Sequence, residues 1–330
     1  MKRIIISRTD SIGDVLLTLP FITWLRQKFP DAYLVYLGRE YTEPIIACFP
    51  IDEFLSWNSL EAMPSAERVQ TIAKFNADTI IHVFPNKEIA ALAKKAKIPN
   101  RIGTSHRSFH LLTCNQRVNF TRKNSDFHEA QLNFHLLKPL GCDTIPSIDE
   151  VKGMLSAFEA NNQALPEAIS AILSDKGVVL HPKSQGSALE WPIEKYNRLA
   201  LALVQRGYSV YFTGTAKEGD LFRSEIPVHP MIFDTTGKMN LTELITFIGK
   251  NKALVACSTG PLHIAGFLGL RTIGLFSPRK PIHPGRWAAL GTNTEMLVFD
   301  QNCPKCKEKK ACNCIENISV ETVLSKLNLV

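Results

Sequence analysis

Short β-rich runs alternate with helical patterns through both halves of this 330-residue chain. The first half contains RIIIS, AYLVYLG and DTIIHVF, and the second contains GVVLHP, YSVYFTG, ALVACS and RTIGLF. Strands that alternate with helices of this length form βαβ units around a parallel sheet. The sequence therefore predicts an α/β protein with two Rossmann-like, doubly wound domains that face a central cleft.

The two halves are separated by a polar stretch without a strand pattern, MLSAFEANNQALPEA at residues 154–168. Domain boundaries fall in such stretches, and the chain length suits two domains of about 150 residues each. We therefore predict an N-terminal domain at residues 1–155 and a C-terminal domain at residues 156–330. The second domain should end in a cysteine-rich tail and a helix whose N-cap is Ser319.

The composition restricts the location and partners of the protein. A net charge of +7 favours anionic partners, but no dense Lys/Arg run carries interleaved aromatic residues, which argues against nucleic acid. No apolar run approaches the ~20 residues of a membrane span, and MKRIIISRTD lacks the apolar core of a signal peptide. We expect a cytoplasmic protein without a transmembrane segment; a lipid partner would bring it into peripheral contact with the inner membrane.

In open α/β sheets, ligands bind beyond the carboxyl ends of the strands, so the loops there are the candidate sites. In the second half, a predicted strand ends at Ser258, Thr259 and Gly260, and Pro261 then opens a helix. Hydroxyl groups at a helix N-terminus suit a phosphate, and His263 in the first turn would face the same anion. The alternative is a plain helix cap with a packed histidine.

A second loop, HPKSQGSALEWP at residues 181–192, follows the first strand of the same domain. Lys183 and Ser184 offer a cation and a hydroxyl group within a donor-rich segment, which a pyrophosphate requires. The alternative is an exposed, mobile loop.

The first loop of the N-terminal half contains Asp10, Gly13 and Asp14 at the head of a predicted helix. A carboxylate there stabilises the helix N-terminus, so a purely structural role is one interpretation of these residues. It would also repel a phosphate, so this domain would bind the other reactant. The carboxylate would then take a proton from an attacking hydroxyl group. The residues alone leave Asp10 and Asp14 as comparable candidates for this base.

Two further residues are candidates for the acceptor side. His82 ends a predicted strand, and Arg107 lies in the loop TSHRSFH, where it would meet an anionic acceptor. For both, a packing or surface role is the competing interpretation.

Four cysteines, Cys303, Cys306, Cys312 and Cys314, stand close together near the end of the chain. The first pair has metal-site spacing, and the second pair is closer than in a typical zinc finger. A structural zinc, an iron–sulfur centre and free thiols all remain open. No Asp-x-Asp pair stands at a strand end, so we expect no metal for catalysis and no required cofactor.

Two of these segments, in order along the chain, resemble the signatures of glycosyltransferase family 9, the ADP-heptose:lipopolysaccharide heptosyltransferase family. They are ISRTDSIGDVLLTLP near the N-terminus and STGPLHIAGFLGLRTIGLF in the second half. The resemblance implies a GT-B fold, with the acceptor bound by the first domain and the nucleotide sugar by the second. It also implies inverting transfer of heptose from ADP-heptose to a lipopolysaccharide core or related glycan. Within the family motif, the catalytic base corresponds to Asp14.

The chain departs from the family pattern at two positions. The family's aspartate before Thr-Gly is Ser258 here, and its lysine before the tryptophan is Leu189. Lys183 would supply the missing charge. These departures bear on the identity of the donor sugar.

Two alternatives to a glycosyltransferase follow from the sequence. A doubly wound oxidoreductase would bind NAD, but no G-x-G-x-x-G follows any predicted strand. A diverged, non-catalytic protein that binds a sugar nucleotide or glycolipid is the alternative from a different class.

Overall fold

The computed structural model describes residues 1–122 and 125–329. The chain divides into two compact units, an N-terminal unit (Met1–Glu159) and a C-terminal unit (Ala160–Val330). Each unit contains one six-stranded parallel sheet, which confirms the predicted α/β class. None of the described helices combines the length and the apolar character needed to cross a bilayer.

The N-terminal unit has the strand order β3-β2-β1-β4-β5-β6. Its strands are β1 (Arg3–Ser7), β2 (Tyr33–Gly38), β3 (Glu53–Ser56), β4 (Thr79–His82), β5 (Asn100–Thr104) and β6 (Gln116–Val118). Its α-helices are α1 (Ile12–Leu16), α2 (Leu19–Lys28), α3 (Glu43–Ile46), α4 (Trp57–Ala62), α5 (Ser65–Lys74), α6 (Lys87–Lys95), α7 (Ser108–Thr113), α8 (Glu129–Phe134) and α9 (Ile148–Gly153). Short 3₁₀ helices cover Glu40–Thr42, His135–Leu140 and Met154–Ala157.

The C-terminal unit has the order β12-β11-β10-β7-β8-β9. Its strands are β7 (Gly177–His181), β8 (Ser209–Phe212), β9 (Ile232–Asp234), β10 (Ala253–Cys257), β11 (Arg271–Phe276) and β12 (Thr294–Val298). Its α-helices are α10 (Glu167–Ser170), α11 (Ile193–Val204), α12 (Ala216–Gly219), α13 (Leu241–Gly249), α14 (Gly260–Phe267), α15 (Pro284–Trp287), α16 (Pro304–Lys307) and α17 (Val320–Leu327). A 3₁₀ helix covers Arg223–Glu225.

The central strands are buried on both faces. Ile4, Ile5 and Ile6 of β1 have no exposed surface, and all five residues of β10 are buried. A parallel sheet covered by helices on both sides requires continuous apolar strands rather than alternating ones. This explains why runs such as RIIIS and ALVAC carry so clear a strand signal.

Both sheets have the same topology. In each unit the first strand pairs with the second on one side and with the fourth on the other, which gives the order 3-2-1-4-5-6 of dinucleotide-binding folds. The second and third strands are added on one side of the first strand, and the fourth to sixth strands are added on its other side. The switch point lies between the first and fourth strands. In open α/β sheets, ligands bind at this switch point, beyond the carboxyl ends of the strands. The candidate sites are therefore the loops after β1 and β4 in one unit, and after β7 and β10 in the other.

Candidate functional site

The loop after β1 is organised around a buried arginine, Arg8, which is 2% exposed. Its Nε and Nη2 atoms donate to the two carboxylate oxygens of Asp10 at 2.8 and 3.0 Å. Nη2 also donates to Oδ1 of Asp14 at 2.6 Å. The two acidic residues predicted from the sequence are thus brought together by one cation that the sequence reasoning did not single out.

Asp10 and Asp14 have different surroundings. Asp10 gives both oxygens to Arg8, so its orientation is set by a bidentate pair. Asp14 gives one oxygen to Arg8, and its Oδ2 accepts from the hydroxyl group of Ser11 at 2.7 Å. Ser11 is exposed, and Asp14 lies with Gly13 in the first turn of α1, with 21% of its side chain exposed. Asp14 is therefore the carboxylate with an oxygen that faces an accessible hydroxyl group.

Arg8 is also held by residues far along the chain. Its Nη1 donates to Thr18 at 2.9 Å and to Asn133 at 3.3 Å, and Glu129 of α8 lies 3.9 Å from Nη2. Arg122 pairs with the same Glu129 at 2.9 Å. Together these residues form a buried ionic network that positions the loop after β1.

Burial and charge compete in this network. Burial disfavours the charged form of Arg8, but the carboxylates of Asp10 and Asp14 outweigh it, so the pKa of Arg8 is raised. Burial raises the pKa of Asp10 above its ordinary value, and this effect exceeds the opposing effect of Arg8.

His82 lies across the switch point from this loop. It ends β4 directly beside Ser7 of β1, and its Nδ1 shares a hydrogen bond of 3.2 Å with the Ser7 hydroxyl group. His82 is 1% exposed, so it supports this edge from within rather than lining its surface. Burial, and then the neighbouring His110, lower the pKa of His82 to about 3. Arg107, by contrast, is exposed at the N-cap of α7.

We expect His82 to make the N-terminal unit sensitive to acid. Its folded pKa is depressed below the ordinary 6.5, so the unfolded chain binds the proton first. Its contribution to the free energy of unfolding is complete above pH 6.5 and falls by about 1.4 kcal/mol per pH unit as the pH drops toward the folded pKa. The matched variant is His82→Asn, whose amide can still bond Ser7 but does not titrate. Urea unfolding at pH 7.5, 6, 5 and 4.5 should show a shallower loss for the variant; identical pH dependences would contradict this assignment.

In the C-terminal unit, Ser258 and Thr259 follow β10, and α14 begins at Gly260 with a proline in its first turn. Thr259 is the N-cap residue, yet its side chain makes no capping bond. Its Oγ1 is buried without a hydrogen-bond partner in the structure. His263, in the same turn, is 2% exposed. The loop is thus not a simple hydroxyl-capped helix start.

The loop after β7 is held by Glu190. Its Oε2 pairs with Nζ of Lys183 at 3.0 Å, and its Oε1 accepts from the backbone and the hydroxyl group of Ser184 at 2.8 and 3.0 Å. The hydroxyl group of Ser187 donates to the carbonyl oxygen of Ser258 at 3.2 Å. The two predicted donor loops are therefore joined, and Lys183 is ion-paired within its own loop.

A pocket of about 190 Å³ opens between these loops and the segment after β11. Of the predicted donor residues, Ser258 lines it. The segment after β11, which the sequence reasoning passed over, contributes Ser277, Arg279 and Lys280. Leu189, at the position where the family has lysine, lines the same pocket. The pocket therefore combines hydroxyl groups with two cationic residues at the switch point of the sheet.

The four tail cysteines converge. Their sulfur atoms all lie within 4.8 Å of one another, close enough that the four could hold one metal ion. Cys303, Cys306 and Cys314 are buried, and Cys312 is partly exposed.

Solved structures resemble the whole chain. A glycosyl transferase family 9 protein of Veillonella parvula has a TM-score of 0.78 at 22% identity, covering 98% of this chain and 96% of its own. The E. coli heptosyltransferase WaaC, solved with ADP-2-deoxy-2-fluoro heptose, has a TM-score of 0.71 at 17% identity and covers 98% of both chains. The chain therefore has the GT-B fold that these solved glycosyltransferases share.

The sequence comparisons narrow this class to a family. Lipooligosaccharide heptosyltransferase 2 of Haemophilus influenzae is 25% identical over 82% of this chain and 82% of its own length. Residues 67–315 match the model of glycosyltransferase family 9 (heptosyltransferase). The chain belongs to glycosyltransferase family 9, which confirms the resemblance found in its motifs and makes it a glycosyltransferase rather than an oxidoreductase.

Proposed function

We propose that the protein is an inverting heptosyltransferase that moves heptose from ADP-heptose to a lipopolysaccharide core or related anionic glycan. One observation carries this proposal: the two equivalent switch points bear different chemistry. The one after β1 presents carboxylates, and the one after β7 and β10 presents hydroxyl groups and cations. The names of the relatives, which include a lipooligosaccharide heptosyltransferase, support the choice of substrates.

The proposed base is Asp14. The hydroxyl group of Ser11, 2.7 Å from Oδ2, marks a position where an acceptor hydroxyl group would sit within reach for proton transfer. Arg8 keeps the carboxylate oriented from the other side. Asp10, with both oxygens on Arg8, is a positioning residue in this scheme. On the acceptor side, Gly13 would let the acceptor approach the backbone.

The deprotonated acceptor oxygen would attack the anomeric carbon, and the bond to the diphosphate oxygen would break. The negative charge that develops on the departing ADP would be stabilised at the C-terminal unit. Ser184, Ser258, Thr259 and the backbone at Gly260 would bind the donor, with His263 behind them. Arg279 and Lys280 line the pocket, so we propose that they replace the family lysine missing at Leu189. Lys183 would contribute through the loop that Glu190 holds.

The remaining assignments are the acceptor and the location. Exposed Arg107 suits an anionic glycolipid or oligosaccharide, and buried His82 would support the acceptor edge. We propose a cytoplasmic enzyme that meets the inner membrane through its acceptor, with no metal in the transfer step.

Thermal unfolding with ADP, UDP, GDP and NAD, followed by turnover of ADP-heptose, tests this function. A ligand at about a hundred times its dissociation constant adds roughly 2.7 kcal/mol, a shift of several degrees. We expect ADP to give the largest shift, and ADP release from ADP-heptose to require a core acceptor and to persist in EDTA. A larger shift with UDP or GDP would mean that the donor is a UDP-sugar or a GDP-sugar rather than ADP-heptose. Binding of ADP without any turnover would favour the non-catalytic alternative.

A further inference from the structure

The cysteine tail forms a preformed set of four thiol ligands. A single ion held tetrahedrally at a metal–sulfur distance near 2.3 Å places its sulfur ligands about 3.8 Å apart. The four sulfur atoms here lie within 4.8 Å of one another. A cubane cluster would insert iron and sulfide between the thiolates and would need a wider set. The Sγ atoms of Cys306 and Cys312 lie 2.9 Å apart, so this pair would have to separate by about 1 Å to take a single ion. The set is therefore close to the size that one mononuclear ion needs and too narrow for a cluster.

The backbone around the first two cysteines is shaped for this role. Cys303 is the N-cap of α16, and one turn later Cys306 returns to the same side. The peptide N–H of Lys307 donates to the carbonyl oxygen of Cys303 at 3.1 Å, which closes this turn and keeps the two sulfur atoms near each other. The chain then reverses at Lys309, a non-glycine residue with φ of +59°. A left-handed residue of this kind persists where its surroundings determine it strongly.

The local charge matches a tetrathiolate. A divalent ion bound by four thiolates leaves two net negative charges. The intervening segment KCKEKKAC carries four lysines, Lys305, Lys307, Lys309 and Lys310, and one acidic residue, Glu308, which pairs with Lys310. Without a bound anionic centre, so many like charges in one short turn would repel one another.

The residues that follow the tail are anchored in the core of the C-terminal unit. Ile315 and Ile318 pack in its main hydrophobic cluster. The indole N–H of Trp191 donates to the carbonyl oxygen of Ile318 at 3.0 Å, and Lys195 donates to the same oxygen at 2.9 Å. Trp191 directly follows Glu190, which holds the loop after β7. The cysteine-rich tail therefore lies between β12 and α17, and the residues that follow it contact the end of the loop after β7, which borders the pocket.

We propose that Cys303, Cys306, Cys312 and Cys314 bind one mononuclear metal ion, zinc or iron, as a tetrathiolate that stabilises the C-terminal unit. Both ions suit four sulfur ligands, and the site is structural because all four positions are filled by the protein. The inference does not depend on the proposed sugar transfer.

Tag-free, full-length protein purified under reducing conditions tests this inference. Elemental analysis should find about one zinc or iron per chain, and a mercurial reagent that caps thiols should release it. After removal of the reductant and mild oxidation, the visible spectrum separates the two ions, since a zinc tetrathiolate stays colourless and an iron(III) tetrathiolate is red. Cys306→Ser/Cys312→Ser should retain less than a tenth of the metal and unfold at a lower temperature. The matched control is Cys142→Ser, a buried thiol outside the cluster, which should retain the full metal content.

Cobalt(II) titration of the wild-type protein gives a second readout that does not require the variant to fold. A tetrathiolate gives intense tetrahedral d–d bands together with thiolate-to-cobalt charge transfer, saturating at one equivalent. Disulfides between these cysteines, or four free thiols with neither metal nor a cobalt spectrum, would overturn the proposal. So would iron present with inorganic sulfide, which indicates a cluster. None of these measurements uses a nucleotide or a sugar, so their failure would leave the proposed transferase untouched.

Discussion

Asp14→Asn should lower kcat for sugar transfer about 10³-fold while leaving the affinity for ADP unchanged. The substitution keeps the size of the side chain and an oxygen that can accept from Arg8, which now donates to Asp14 at 2.6 Å. It removes only the ability to take the proton of an acceptor hydroxyl group at the position that Ser11 now marks. The measurement is ADP release from ADP-heptose with saturating acceptor, together with calorimetric titration of ADP.

The matched control is Asp149→Asn, another aspartate in the first turn of a helix, whose side chain is 88% exposed and lies in the same unit. It should retain wild-type turnover, and Asp14→Glu should recover part of the loss because a carboxylate is restored. Asp10→Asn separates the two candidate bases. If it abolished turnover with the fold and ADP binding intact while Asp14→Asn remained active, Asp10 would be the base and the present assignment would be wrong.

The sequence predicted the centre of each sheet and missed the periphery. All seven strands expected from apolar runs are present, as β1, β2, β4, β7, β8, β10 and β11. Four of the five missed strands, β3, β6, β9 and β12, are sheet edges, and they are short or largely half-exposed. A strand that is buried on one face, or hardly at all, needs no continuous apolar run, so its pattern is weak.

The sequence likewise predicted one part of the candidate site and missed another. Loops after central strands, with Asp14 in one unit and Ser258 in the other, could be located because parallel strands bring their carboxyl ends to one edge. Two partners of Arg8, Glu129 and Asn133, could not be located from the sequence. They lie more than 100 residues away along the chain and meet Arg8 only after folding. Arg279 and Lys280 were missed because they lie in a proline-containing segment with no periodic pattern.

Arg8→Met should destabilise the N-terminal unit by about 3–5 kcal/mol, because it leaves buried carboxylates without their cation. Arg8 is the common partner of Asp10 and Asp14, and Glu129 lies close by at 2% exposure. Methionine preserves the length of the side chain, so the charge is the main loss. Since each 1.4 kcal/mol is a factor of ten, amide hydrogen exchange of β1 and β4 peptides should accelerate at least about 100-fold. Peptides of the C-terminal unit provide the internal reference.

Two comparisons distinguish the loss of a buried cation from the loss of any arginine. Arg39→Met removes an ion pair with Glu61 whose side chains are 31% and 41% exposed, and should cost no more than about 1 kcal/mol. Adding Asp10→Asn to Arg8→Met should recover part of the stability, because the stranded charge is removed with its partner.

The loss of stability in Arg8→Met should also shrink as the pH falls. Without Arg8, the pKa of Asp10 in the folded variant would rise further above its value in the unfolded chain. Protonation of Asp10 in acid would then stabilise the folded variant, and this stabilisation is lost as the pH rises through the folded pKa. A defect equal to that of Arg39→Met, or one independent of pH and of Asp10, would show that the arginine serves packing rather than charge.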